Sequence, residues 1–251
     1  MSEPSKPLEI SRQLVEQLRG VQFDPPISHV YQPLEYAAEP YREYLRRFGS
    51  ATPRKVLMVG MNPGPWGMAQ VGVPFGAVSM VRDWMGIDGD IGQPDQVHPK
   101  RPVDGFDCER EEVSGSRLWG WAKQRFTTPE AFFDRFMVYN YCPLLILEEG
   151  GKNRTPPRLR KAERQQVLPA CDRALRAMID YYQPQFVVGV GNWAEKRIRA
   201  ALRDHSLDAT IGRVLHPSPA SPKANRGWAP QADAELEALG IELPGCTQRQ
   251  G

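Results

Sequence analysis

The sequence predicts an α/β fold, a three-layer sandwich whose short, mainly parallel four-stranded central sheet is flanked by helices. Three observations point there. Four short runs, at 55–61, 136–142, 185–191 and 210–216, are almost continuously apolar, as strands buried on both faces are. Helical patterns fill the intervals between them. Three of the runs end at conspicuous polar residues, Asn62, Asn140 and His216. Ligands of open parallel sheets sit beyond the carboxyl ends of the strands, so these three are expected to converge.

In chain order, helical patterns near 8–19 and 34–48 precede the first strand, "KVLMVGM" (55–61). A stretch rich in Gly, Pro and Asp, 88–113, reads as a loop and leads into a helix at about 114–135. "FMVYNYC" (136–142) is the second strand. It is followed by "EEGGKNRTPPRLR" (148–160), which breaks any helix and carries several arginines. Helices at about 161–182 and 192–204 frame the third strand, "QFVVGVG" (185–191). "TIGRVLH" (210–216) is the fourth, and a helix near 226–239 follows it. No internal repeat is found. The expected organisation is one domain over 1–243 and a disordered tail over 244–251.

With 251 residues the chain can bury a real core. No stretch approaches the roughly 18 apolar residues of a membrane span. The start, "MSEPSKPLEISRQL", lacks the basic-then-apolar layout of a secretory signal. Residence in a bacterial cytosol or nucleoid, or in the nucleus of a eukaryote, is expected, without membrane contact and as a monomer. Cys108, Cys142, Cys171 and Cys246 are scattered with no C-x-x-C pair, which argues against zinc, iron–sulfur and disulfide frameworks. Reduced thiols, no metal and no cofactor are therefore expected. The net charge of +2 hides an asymmetry: residues 151–228 hold fifteen Lys and Arg against six Asp and Glu, while residues 1–150 hold sixteen against twenty. Such a skew fits a polyanionic partner, although a solvated basic face would look the same.

The glycines after the first strand first resemble a phosphate cradle. That reading fails, because neither G-x-x-x-x-G-K-[ST] nor G-x-G-x-x-G stands there, and Pro63 and Pro65 remove two backbone donors such a loop would use.

Three segments together, "GMNPGPWGMAQVGVPFG" (60–76), "YNYCPLL" (139–145) and "HPSPASPKANRGW" (216–228), resemble the uracil-DNA glycosylase superfamily. Within it the similarity is to the single-strand-selective monofunctional (SMUG-type) branch. The order of the motifs, their strand-end positions and the thirteen-residue interval from Asn62 to Phe75 agree, over roughly residues 34–240. An Asp for Asn62 with a Tyr for Gly64 would resemble the strictly uracil-specific branch instead. An Asn for His216 would resemble the mismatch-specific branch, and a cysteine-ligated cluster the thermophilic one.

The resemblance implies a uracil-DNA glycosylase-like fold and excision of uracil and related C5-substituted or oxidised pyrimidines from single- and double-stranded DNA. Such chemistry must hold an extruded base, stabilise its leaving anion and place water near C1′. Asn140 offers a donor and an acceptor that match O4 and N3–H of uracil, though an amide can also simply close a strand end. Phe75 would stack on the base, or else serve the core. His216 would donate to O2 of the departing anion. Asn62 would position water through its carbonyl oxygen, since an amide is no general base near neutral pH. Met61 would line the base pocket. Gly64 would leave open space beside C5.

The resemblance further implies that Pro217, Ser218, Pro219, Ala220, Ser221, Lys223 and Arg226 form the DNA-binding loop. Lys223 and Arg226 suit phosphates beside the extruded base. Family members often carry a bulkier basic residue where Ala220 stands, and Ala220 cannot fill the vacated stack. Arg154, Arg158, Arg160 and Lys161 would add sequence-independent attraction. Two other readings stay open: preference for a deaminated purine such as xanthine or hypoxanthine, and a non-catalytic DNA-damage binder.

Overall fold

A computed structural model of the chain describes residues 5–245. Its central sheet holds β2 (Val56–Gly60), β3 (Phe136–Asn140), β5 (Phe186–Val190) and β6 (Thr210–Val214) in the order β3-β2-β5-β6. All three pairings are parallel. Every residue of β2 and β3 is buried, as their continuous apolar character requires. Burying a side chain such as Leu57 or Val138 stabilises the fold by roughly 1.5–3 kcal/mol each.

Helices cover the sheet. They are α1 (Lys6–Arg19), α2 (Ala38–Tyr44), α3 (Val113–Phe126), α4 (Lys161–Tyr182), α5 (Asn192–Ala201) and α6 (Trp228–Ala238), with shorter turns between. In α4 the apolar residues Val167, Cys171, Ala174, Leu175, Met178 and Tyr182 repeat at three- and four-residue spacing and form its buried face. Its first turn is closed by Glu163, which accepts a hydrogen bond from the Arg160 N–H at 2.6 Å. α1 packs on α4, and α5 packs on β5 and β6. Among the described residues no helix is long and apolar enough to cross a membrane.

Two expectations about the elements need correction. The helix expected over 114–135 stops at Phe126, because Thr127 takes φ 63° and Pro129 starts a separate turn, Pro129–Phe133. Thr128 caps that turn by accepting from the Ala131 N–H at 3.2 Å. The break folds Phe132 back onto Trp121, Phe126 and Phe136, with ring centroids 6.2, 5.3 and 5.0 Å away. One continuous helix would carry that ring away from the cluster. The pattern at 34–48 is likewise divided, into Pro33–Tyr36, α2 and a wider turn at Leu45–Gly49.

A second, two-stranded sheet had no counterpart in the sequence reading. β1 (Ile27–Tyr31) pairs antiparallel with β4 (Leu145–Glu148) just beyond β3. The loop segments 88–113 and 148–160, which adjoin α3 and β4, hold the short helical turns Gly105–Asp107 and Pro156–Arg158 and take part in the isolated bridges His98–Arg101 and Leu147–Asn153. Cys108, Cys142 and Cys171 are free and buried. Cys246 and most of the expected tail lie outside the described residues.

Candidate active site

Asn140 closes β3 beside Gly60, the last residue of β2. The pair sits so close that a Cβ at position 60 would lie 2.2 Å from Asn140 Oδ1 and 2.5 Å from Phe75 Cε2. Only glycine leaves that space open, and sequence reasoning did not single out Gly60. Asn140 is 5% exposed. Its Nδ2 donates to Met68 Sδ at 3.1 Å, while its Oδ1 is buried and has no hydrogen-bond partner in the protein. An orphaned buried acceptor costs about 1–3 kcal/mol, an expense expected where a ligand will supply the donor.

Phe75 is half-buried against the core and adopts φ 55°, a left-handed conformation that is strained for a bulky side chain. Gly115 of α3 permits it, since a Cβ there would come within 2.0 Å of the Phe75 carbonyl oxygen. The backbone is held from the other side by Ala77, whose N–H donates to the same oxygen at 2.8 Å. The ring stands over Gly60 beside Asn140 and lies 6.2 Å from the His216 ring.

His216 follows β6 by two residues. Leu215 before it is pinned from both sides, its N–H donating to Glu235 Oε2 and its carbonyl accepting from Trp228 Nε1, each at 2.5 Å. The Ser218 N–H donates to His216 Nδ1 at 3.1 Å. Nδ1 is therefore the acceptor, and the ring proton resides on Nε2. Burial holds the imidazole below its ordinary pKa, which keeps it neutral.

Asn62 is half-buried, two residues past β2, and all its donors face protein. Nδ2 lies 3.3 Å from the Leu144 carbonyl and 3.2 Å from Asn153 Oδ1. Asn153 in turn donates to the Pro63 carbonyl at 3.0 Å. These contacts orient the amide so that its carbonyl oxygen remains for a ligand. Met61 is tied to the segment that follows β3, its carbonyl accepting from the Cys142 N–H at 2.9 Å. Gln70, fully buried, braces the same loop: it donates to Pro65 and Pro102 and accepts from Asp104 and Gly105. Neither Asn153 nor Gln70 was singled out in the sequence: Asn153 sits in a loop with no motif of its own, and Gln70, although inside the 60–76 motif, acts through contacts with residues 102–105 that its own segment does not show.

The loop after His216 is held from α3. Arg117 Nη1 donates to the Pro217 and Ser218 carbonyls at 3.1 and 3.4 Å, and Nη2 donates to Asn225 Oδ1 at 2.9 Å. Asn225 closes the loop by donating to the Pro219 carbonyl at 2.8 Å, and Ser221 caps the turn Pro222–Asn225. Pro219, Ala220, Lys223 and Arg226 are exposed on its outer side. Two of the four basic residues expected to attract DNA, Arg154, Arg158, Arg160 and Lys161, are engaged within the protein. Arg154 pairs with Glu148 at 2.9 Å, and Arg160 donates to the Pro25 carbonyl at 2.5 Å and lies 3.6 Å from Asp24.

The space beside Gly64 is not open, contrary to expectation. The Glu112 carboxyl occupies it: a Cβ at position 64 would lie 2.4 Å from Glu112 Oε2, and one at Gly67 would lie 2.7 Å from Glu112 Cγ. Desolvation raises the Glu112 pKa, against an opposing effect of hydrogen bonding with Ser114. Among the described residues, no group of three or more His, Cys, Asp or Glu side chains is placed to hold a metal ion.

Residues 47–237 match the family model of the uracil DNA glycosylase superfamily, and the chain belongs to that superfamily. It is 47% identical over 234 residues to the single-strand selective monofunctional uracil DNA glycosylase of Bos taurus, covering 93% of this chain and 86% of that protein. The enzymes of the same name from Rattus norvegicus and Mus musculus are 46% and 45% identical, each over 93% of this chain and 84% of the relative. In fold, the chain superposes on the crystal structure of wild-type Pedobacter heparinus SMUG2 with a TM-score of 0.65. That match is 16% identical in sequence and covers 92% of this chain and 97% of the other.

Proposed function

We propose that this protein is a monofunctional DNA glycosylase that flips uracil and related pyrimidines out of single- and double-stranded DNA and hydrolyses the N-glycosidic bond, leaving an unbroken abasic strand. The observation that carries this is the buried, unpartnered Oδ1 of Asn140, facing the space between the Phe75 ring and Gly60. Uracil supplies the missing donor at N3–H, while Asn140 Nδ2 turns from Met68 to O4. Cytosine presents the opposite pattern on that edge and is refused.

Phe75 stacks on the extruded base. The leaving base departs as an anion, and the Nε2–H of neutral His216 donates to its O2. The Asn62 carbonyl orients the attacking water beside C1′, and proton abstraction by that amide plays no part. Stabilisation of the leaving group and positioning of water therefore carry the rate. Lys223 and Arg226 meet the backbone phosphates next to the flipped nucleotide. The enzyme acts as a monomer in a DNA-containing compartment, a bacterial cytosol and nucleoid or a nucleus.

A single-stranded oligonucleotide with one uracil tests the reading. Strand scission after alkali, no scission before it, and no covalent complex after borohydride reduction are the expected results. Absence of abasic product at enzyme excess would make the protein a damage binder. Release confined to xanthine or hypoxanthine would reassign the substrate.

A further inference from the structure

We infer that Arg101 and Arg110, stacked against the Trp66 ring, form a second contact with the lesion-bearing strand. They grip a backbone phosphate beside the flipped nucleotide, on the side of the pocket away from Lys223 and Arg226. The inference rests on the proposed function and adds a strand contact to the same site. Trp66 stands between Gly64 and Gly67 in the loop after β2 and is half-buried. The Arg110 guanidinium lies 4.3 Å from its ring centroid and the Arg101 guanidinium 5.4 Å. Cation–π attraction to an aromatic face holds a guanidinium flat and leaves its N–H edge available.

Arg101 is also fixed through its backbone. Its N–H donates to the His98 carbonyl at 2.9 Å, and its carbonyl accepts from Tyr31 Oη at 2.6 Å. In the side chain, Nη1 donates to the Lys100 carbonyl at 2.7 Å, whereas the buried Nε has no hydrogen-bond partner in the protein. An unpaired buried donor on a cation is satisfied by an anion brought to it. Arg110 is exposed. Arg154, Arg160 and Arg197 are paired with carboxylates, but among the described residues Arg101 and Arg110 are not.

The strand order places this stack. His216 and its loop follow β6 at one edge of the sheet, while Trp66 follows β2, the neighbour of β3. Tyr31, which holds Arg101, belongs to β1, and β1 pairs with β4 just beyond β3. A strand with its sugar at Asn62 and its base at Asn140 therefore has Lys223 and Arg226 on one side and the stack on the other. Exposed Glu109 and Glu111 flank Arg110, so the patch is not a general positive field. Its attraction is directed: two oriented guanidinium edges match the oxygens of one phosphate and carry no sequence preference.

The test measures binding of a single-stranded uracil oligonucleotide, and of the same strand in a duplex, at several salt concentrations. The full-length protein is compared with Arg110→Ala, Trp66→Leu and Lys223→Ala. Arg110→Ala should bind the single strand about three- to ten-fold more weakly, with a salt slope lower by about one unit. Trp66→Leu leaves the net charge unchanged and should still weaken binding, because the guanidinium edges lose their platform. Neutral methylphosphonate linkages are then walked along the strand. One linkage beside the uracil should weaken binding by the wild type and by Lys223→Ala, and make no difference to Arg110→Ala. An unchanged affinity and slope in Arg110→Ala, a loss confined to the duplex, or a methylphosphonate effect that persists in full in Arg110→Ala would overturn the assignment. Position 110 is exposed, so these outcomes stand whether or not the Trp66 variant folds. A wild-type protein that binds the oligonucleotide yet releases no uracil would instead defeat the proposed function, and the binding measurements would still decide the contact.

Discussion

The Ser218 N–H donates to Nδ1 of His216 across 3.1 Å, and that contact places the ring proton on Nε2, the nitrogen left to face a ligand. Replacing His216 with Ala removes one donor to a developing anion. Single-turnover excision should slow by about 10² to 10³-fold, with a much smaller change in affinity for uracil-containing DNA. Equal losses in rate and affinity would make the residue structural.

The same contact sets a pH dependence. Burial lowers the folded-state pKa of His216 below the ordinary value, so the neutral form is favoured by folding. Stability from this group is complete above about pH 6.5 and is lost as pH falls from there through the folded pKa. Protonating Nδ1 would also set two donors, its own N–H and that of Ser218, against each other. Excision should therefore hold level on the neutral side and decline below about pH 6.5 as the imidazolium forms. A pH–rate profile in which activity rises on acidification through that range would show that the imidazolium is the working form.

Asn153 should act through Asn62. In Asn153→Ala the Asn62 amide loses its 3.2 Å partner and is held less firmly, by the longer contacts to the Leu144 and Pro63 carbonyls at 3.3 and 3.4 Å. The expected result is a fall in kcat on the order of ten-fold with KM nearly constant, since water is misplaced while the base still binds. Asn153→Asp keeps the acceptor toward Asn62 and should recover part of the rate. A change confined to KM in both variants would remove Asn153 from the positioning of water.

Asn140→Asp exchanges hydrogen-bond polarity at the base edge. A carboxylate repels O4 of uracil yet accepts from the 4-amino group of cytosine, and when protonated it donates to N3. Most uracil activity should disappear and detectable cytosine release should appear, because one unpaired polar atom costs about 1–3 kcal/mol. Wild-type uracil activity with no cytosine release at enzyme excess would mean that Asn140 serves only the strand end.

Lys223→Ala and Arg226→Ala, on the exposed side of the loop that Arg117 braces, should weaken DNA binding and flatten its salt dependence. Each phosphate contact removed lowers the slope of log K against log salt by about one unit. Binding isotherms at several salt concentrations measure it, and an unchanged slope would route the DNA elsewhere.

Gly115→Ala should couple packing to the site. The added Cβ would lie 2.0 Å from the Phe75 carbonyl oxygen, and backbone cannot yield as a flexible side chain does. Urea unfolding should show a loss of roughly 1–3 kcal/mol, accompanied by weaker base binding as Phe75 shifts. Full stability with normal activity would mean that α3 moves away at little cost.

The sequence by itself determined the α/β class, the four strands of the central sheet, and the polar residues stationed at their ends. Those features are local: an apolar run long enough for a buried strand, followed by Asn62, Asn140 or His216, is written in consecutive residues, and the parallel order of the sheet then brings its carboxyl ends together. Tertiary structure alone decided what orients those residues. Asn153 reaches Asn62 across 91 positions and Arg117 reaches Pro217 across 100, while Glu112 enters the space at Gly64 from the start of another helix. Each of the three stands in an unremarkable stretch, because a side chain that donates to a distant carbonyl or fills the gap above a distant glycine leaves no periodicity in its own segment. The break at Thr127 and the β1–β4 pair follow the same rule: the first is fixed by aromatic rings returning to a shared cluster, the second by strand partners more than a hundred residues apart.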